Sequence, residues 1–342
     1  SFTNTRNGIN YDTSDPTLVQ DDYFRYKEQI YALYADYSRE FSERFSMQLG
    51  LRMEHTRTTG ISEAKDTEDK HDYTRLFPTV YLLYSPTDGH ALNFSFSNRI
   101  SRPSQNMVNP FPFYQNKYTY ACGREDLKPS YTYNAELGYT LKNNFNVSAY
   151  YSYSDDVFFQ VVDLDAETNV TSFLWENFMQ THAFGLNNSY TFRTKWLQAY
   201  AQHGVSYRRT TSSAASTSPE EKGWAYNASL RNTFFFNEKK TLLATLSGSY
   251  SSRQYQGIYL MSPTYSVSAG MLYRLLNNKL SLNVNNLFVS HSKLETMSNG
   301  LKIIADNQFA FASFRIGVSY TFGGDIRSKG QRNSNEDIQR RL

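Results

Sequence analysis

Cysteine is almost missing from this sequence. Cys122 stands alone among 342 residues, which excludes an internal disulfide framework and a multi-thiolate metal centre. Its ordinary reading is an incidental small residue in a loop. Long apolar runs are missing as well. No stretch approaches eighteen consecutive apolar residues, so no helical membrane span is encoded. The longest uncharged stretch, residues 254–273, is full of Ser, Tyr, Gly and Gln. An excess of one charge sign is also lacking, since 35 Lys and Arg nearly cancel 32 Asp and Glu, scattered along the chain. Nothing therefore recommends a nucleic-acid partner. With 9 Pro and 17 Gly, the chain is neither collagenous nor of disordered composition.

Catalytic signatures are absent too. There is no Gly-x-Ser-x-Gly elbow, phosphate loop, His-Glu-x-x-His or paired Cys ligands, and His55, His71, His90, His182, His203 and His291 are dispersed. The chain reads as a non-enzyme without a cofactor.

What is present is aromatic and period-two. There are 28 Tyr and 24 Phe against 3 Trp, in a chain only 39% hydrophobic. Phe45, Met47, Leu49, Leu51 and Met53 share one face of a strand whose other face is Ser46, Gln48, Gly50, Arg52 and Glu54. The same alternation returns at Leu92, Phe94 and Phe96, at Ala135, Leu137 and Tyr139, and at Phe145, Val147 and Ala149. Farther along it picks out Val267, Leu282, Val284, Ile316 and Val318. Such strands are greasy on one side and wet on the other. A soluble sandwich also alternates, but with shorter strands and a richly charged outer face.

Connection lengths separate the two. Short links lie near residues 42–44, 86–89, 142–144, 193–195, 237–239 and 276–278, whereas long ones lie near 60–72, 102–128, 155–169, 210–223, 252–262 and 290–299. Tight turns at one end and long polar loops at the other predict an all-β, transmembrane, antiparallel outer-membrane barrel. Hydrocarbon cannot satisfy backbone N–H and C=O groups, so strands cross it only as a closed ring. Aromatics beside the short turns, among them Phe41, Phe45, Tyr84, Tyr139, Phe192, Trp196, Tyr273, Tyr320 and Phe322, predict an interfacial girdle.

Counting segments from residue 22 gives about 13 strands. An odd number conflicts with the even count of a complete bacterial barrel, so the segment reads as the C-terminal part of a larger one. On this reading residues 1–21 are an extracellular loop or the remnant of a preceding strand, 22–323 are barrel, and 324–342 are a charged periplasmic tail. The alternative makes residues 1–12 a fourteenth strand closing a small barrel. Its poor alternation places it second.

Residues 98–144, reading NRISRPSQNMVNPFPFYQNKYTYACGREDLKPSYTYNAELGYTLKNN, resemble a hallmark of the TonB-dependent receptor barrels of the Bacteroidetes. LSLNVNNLF at 280–288 and IGVSYTFG at 316–323 are similar to the last strands of TonB-dependent receptors generally. The resemblance implies a 22-stranded barrel around an N-terminal plug, of which this chain supplies roughly the last thirteen strands. It implies, as partners, outer-membrane lipid, the remainder of the barrel and plug, a TonB-type energy-coupling protein acting through that part, and a surface lipoprotein. Uptake of a scarce or large nutrient is the implied function. A passive channel of about fourteen strands and a scaffold barrel for an outer-membrane complex are the alternatives.

Three loops hold candidate groups. Phe111, Phe113, Tyr114, Tyr118 and Tyr120, set among Pro103, Pro110 and Pro112, are candidates for stacking on an extracellular ligand; the plainer reading packs them on neighbouring loops or into the lumen. Glu63, Asp66, Glu68, Asp69, His71 and Asp72, and separately Asp163, Asp165 and Glu167, have the chemistry for a hard cation. Interleaved Lys65 and Lys70 favour a solvated loop for the first, and the second reads the same way.

Overall fold

A strand with one apolar and one polar face satisfies its backbone only through neighbours on both edges, and the sequence supplies those neighbours in order. The computed structural model describes residues 2–9, 20–62, 66–165, 167–290, 292–307 and 311–322. The chain forms β1 Phe2–Ile9, β2 Gln20–Ser42, β3 Phe45–Ser62, β4 Thr67–Tyr84 and β5 His90–Ser101. After α1 Gln105–Val108 come β6 Phe113–Asn116, β7 Thr119–Cys122, β8 Ser130–Leu141, β9 Phe145–Asp165 and β10 Val170–Arg193. Then follow β11 Leu197–Ser212, β12 Glu220–Phe235, β13 Leu242–Ser251, β14 Gln254–Gln256 and β15 Tyr259–Met261. The last are β16 Thr264–Leu275, β17 Leu280–Val289, β18 Ser292–Ser298, β19 Leu301–Asn307 and β20 Phe311–Tyr320.

Fourteen of these pair edge to edge, antiparallel, in the order β1-β2-β3-β4-β5-β8-β9-β10-β11-β12-β13-β16-β17-β20. No pairing between β1 and β20 occurs among the described residues. Register puts the fourteen apolar positions picked out by alternation on one continuous face. Met47 lies opposite Leu82, Leu82 opposite Phe94 and Phe94 opposite Leu137. The row through Phe45, Tyr84, Leu92, Tyr139 and Val147 runs beside it, and Leu49 and Leu51 continue it upward. At the far end Val267 faces Phe288, while Leu282 faces Val318 and Val284 faces Ile316.

Both borders of this face are aromatic. Beside the short turns, Phe41 and Phe45 stack at 5.5 Å and Trp196 and Phe234 at 6.4 Å. A second belt, unseen in the sequence, crosses the sheet higher up. Tyr151, Phe184, Tyr207 and Trp224 lie opposite one another on β9 to β12, with ring centroids of 5.4 Å for Phe184–Tyr207 and 5.2 Å for Tyr207–Trp224. Trp224 and Phe234 are ten residues apart on β12, which at about 3.3 Å per residue and a tilt of about 40° spans about 25 Å of apolar height.

Residues 2–9, poor in alternation and read as a loop or the remnant of a preceding strand, form a strand paired with Gln20–Lys27; backbone pairing needs no side-chain pattern, and with it the paired path counts fourteen strands. Two differences from the sequence expectation stand out. The last of the segments counted in the sequence, 301–322, divides: β19 turns into a separate four-stranded sheet with β14, β15 and β18, and only β20 joins the main one. The long links are not bare loops, since they carry that small sheet and the β6–β7 hairpin. Residues 10–19, part of the predicted leading segment, and the predicted tail lie outside the described residues.

Candidate functional site

A membrane-spanning strand needs about 9 to 11 residues, so β9 with 21 and β10 with 24 overreach. Their excess projects at the long-loop end as a hairpin beyond two register shifts around Met179. Apolar residues crowd both sides of this extension, and each side meets a different loop. Val161, Phe178 and Met179 form one core with Ile258 and Tyr259 of the 252–262 connection, joined by Leu294. Phe158 and Trp175 border the other, formed by Phe24, Val108 and Leu127. The hairpin is a partition packed on both sides.

The 102–129 loop is pinned to the wall at several points. Arg102 forms an ion pair with Glu54, approaches Glu28 at 3.8 Å and donates to Thr56 Oγ1 at 3.3 Å. Both carboxylates are buried, at 4% and 5% exposure, so the guanidinium compensates charge held out of water. Asn177 clasps the loop's far end, accepting from Lys128 N–H at 2.8 Å and donating to its carbonyl at 2.9 Å. Gly123 makes the fold of the loop feasible. A Cβ there would lie 2.3 Å from the Asn109 carbonyl oxygen, and the Gly123 N–H donates to that oxygen at 2.9 Å. The β7 strand then adds in parallel to the overhanging edge of β10, Thr119 opposite Thr171.

This folding divides the aromatic candidates. Phe111 is buried, at 8% exposure, while Phe113 and Tyr118 stand 60% and 50% exposed. Tyr114 and Tyr120 face each other across the hairpin at 5.4 Å. Lys117 sits over the Tyr118 ring, 4.6 Å from its centroid. A cleft of about 440 Å³ opens between the β3–β4 tip and the loop, lined by Thr67, Glu68, Asp69, Pro110 and residues 123–126.

Most of the acidic candidates among the described residues are engaged with their neighbours. Glu68 pairs with Lys70 at 2.8 Å, Asp69 with His71 at 2.7 Å and Asp72 with Arg57 at 2.9 Å; Glu63 lies outside the described residues. Asp165 caps its own turn, accepting from Thr168 Oγ1 at 2.7 Å and Glu167 N–H at 2.9 Å. The Thr168 hydroxyl, helped by these N–H groups, holds the Asp165 carboxyl below the usual carboxylate range. Asp163 accepts from Asn299 at 2.7 Å.

Tyr259 ties the small sheet to the partition, its hydroxyl donating to the Gln160 carbonyl at 2.9 Å. Burial pushes this phenol up to about 12. A phenol raised above its unfolded value, near 10, contributes stability that is fully present below that pH and lost as pH climbs through about 12. A difference titration of wild type against Tyr259→Phe, followed by phenolate absorbance, should show one group ionising near 12. A difference step near 10 would contradict its burial.

Sequence reasoning missed Arg102, Glu28, Glu54 and the double-sided partition. One signal was available: residues 157–162 are apolar at every position but Gln160, without alternation, the mark of a strand buried on both faces.

The family described as "Outer membrane protein beta-barrel family" matches residues 1–320. No curated protein matches the sequence. Among solved structures, the siderophore receptor PiuA from Acinetobacter baumannii superposes with a TM-score of 0.55 at 14% identity, over 88% of this chain and 44% of that one. The siderophore receptor PirA from Pseudomonas aeruginosa gives 0.54 at 12% identity, over 89% and 58%. The FrpB iron transporter from Neisseria meningitidis, F5-1 variant, gives 0.53 at 17%, over 89% and 46%. At these identities the likeness is one of fold, and the chain spans about half the length of the structures it matches.

Proposed function

This chain belongs to the outer membrane protein beta-barrel family, an integral protein of the outer membrane, and from that premise we propose that it forms wall and mouth of a TonB-dependent receptor of the Bacteroidetes type. The receptor takes up a scarce or large nutrient, released inward by a plug belonging to the remainder of the protein. The apolar face, Leu49, Leu137, Val267 and Ile316 among its positions, contacts lipid; the polar face lines the lumen. The observation that carries the reading is the built mouth: a partition packed on both sides and a loop ion-paired to the polar face by Arg102. A general pore gains nothing from so much ordered structure at its entrance, whereas a receptor needs a shaped surface. Phe113 and Tyr118, exposed on the β6–β7 hairpin, are the ligand-stacking groups.

The test is growth of a deletion strain on ferric chelates, vitamins, peptides or glycans as limiting nutrient, with and without a protonophore. Loss of growth on one class, restored by the gene and abolished by the protonophore, is expected. Uptake that survives the protonophore favours the passive channel, a reading that the fourteen-strand path supports.

A further inference from the structure

The apolar face changes character just above the upper aromatic belt. On β9 to β12 that belt is Tyr151, Phe184, Tyr207 and Trp224, and the next positions on the same face, two residues toward the long loops, are Tyr153, His182, Arg209 and Lys222. These four lie opposite one another in one row. At about 3.3 Å per residue and a tilt of about 40°, the row stands about 5 Å above the belt, beyond the apolar band and level with lipid headgroups. A plug belongs to the opposite face, and further strands join at the β1 or β20 edge, six strands from β9 and four from β12 in the paired order. Neither covers this row.

His182 is engaged within the wall, its Nδ1 lying 2.8 Å from the Tyr151 hydroxyl and its ring 4.7 Å from that of Tyr153. Arg209 and Lys222 differ. They are cations placed directly opposite each other, where like charges repel, and their side chains stand 52% and 57% exposed. One carboxylate answers both, since Glu220 accepts from Arg209 and, at 2.6 Å, from Lys222. Glu220 sits one row farther from the membrane, opposite Thr211. Asp155, the other carboxylate of that outer row, accepts from Gln180 at 2.9 Å. Two positive charges at headgroup level therefore share a single negative one above them, and beneath them come Tyr207 and Trp224 of the belt.

Resting on the assignment of the apolar face to lipid, we infer that Arg209 and Lys222 hold the phosphate of an anionic lipid in the leaflet on the long-loop side. Arginine's planar fork meets phosphate oxygens in pairs, and lysine adds a point charge. The Cβ atoms of directly opposed residues lie about 5 Å apart, so one phosphate reaches both side chains and relieves their repulsion. Trp224, 62% exposed, sits beneath them with its amphipathic ring at the interface. The site continues the lipid face: acyl chains of the same molecule run down the apolar wall, a contact that free phosphate cannot make.

Trp224 is also the reporter. The full-length protein is reconstituted in bilayers of phosphatidylcholine with brominated acyl chains, which quench tryptophan on contact, and unbrominated phosphatidic acid is titrated in. Subtracting the signal of the matching Trp224→Phe protein isolates the relief of quenching at Trp224. Phosphatidic acid should displace phosphatidylcholine, whose phosphate is screened by its own choline, with a relative binding constant of at least about ten. Arg209→Gln combined with Lys222→Gln should bring that constant near one. Glu220→Gln should raise it, a gain that misfolding cannot produce. Inorganic phosphate in the same concentration range should leave it unchanged. A wild-type constant near one, a constant that the double substitution or Glu220→Gln does not move, or full competition by inorganic phosphate would overturn the inference, the last because the ligand would then be free phosphate. Failure of the face assignment reads differently: brominated lipid would quench neither Trp196 nor Trp224, and the site would fall with it.

Discussion

Leu49→Arg is expected to stop the protein from assembling in the membrane, while Gln48→Arg leaves assembly intact. The two residues are adjacent and point to opposite faces. Leu49 lies four residues above Phe45 of the lower aromatic belt, in the row of Tyr37, Val80 and Phe96, well inside the apolar band. An arginine near the midplane of a barrel's lipid face costs about 2 to 4 kcal/mol. Gln48, exposed on the polar face between Ser38 and Tyr81, has water to solvate the new charge. Depth gives a second comparison. Leu282 is paired with Tyr273 beside a short turn, so Leu282→Arg should cost only about 0 to 1 kcal/mol, as at an interface. Heat-modifiability of the extracted protein on gels reports assembly. Equal damage from Leu49→Arg and Gln48→Arg would mean the faces are assigned wrongly.

Arg102→Ala should release the 102–129 loop without dismantling the wall. The substitution removes the counter-charge that Arg102 gives Glu28 and Glu54, which are 4–5% exposed, and breaking a buried pair by removing one partner costs about 3 to 5 kcal/mol. Arg52 offsets part of this at Glu54. Lys117 and Arg124 are already exposed, but a released loop could extend its backbone into the protease, so tryptic cleavage there should accelerate at least about tenfold, the equivalent of ~1.4 kcal/mol. Arg102→Met combined with Glu54→Gln should recover part of the protection, since the Glu54 charge that Arg102 answered is gone together with it. Unchanged cleavage in Arg102→Ala would show that the Phe24, Val108 and Leu127 core alone holds the loop.

Some of this architecture was legible before any coordinates. The fourteen apolar positions needed only alternation, because period two is a local consequence of the pleat. The lower aromatic belt was legible because it sits next to turns that the sequence also marks. Trp224 and Phe184 were not, because nothing near them in sequence shows that they share a level on neighbouring strands. Strand β1 was hidden for the converse reason, having partners but no pattern. Among the aromatic candidates, sequence proposed five as a group, and only packing distinguished buried Phe111 from exposed Phe113 and Tyr118.

The sequence by itself determined the class of surface: ribbons wet on one side and greasy on the other, joined by alternating short and long links. That information lies in residues one or two apart, where geometry is fixed by the backbone. Tertiary structure decided which loops meet at the mouth, that Arg102 answers two carboxylates 74 and 48 residues before it, and that Arg209 and Lys222 meet above the upper aromatic belt. Such meetings depend on register and on burial between distant segments, and the cost of leaving a charge or an apolar face uncovered is set only once those segments are in contact.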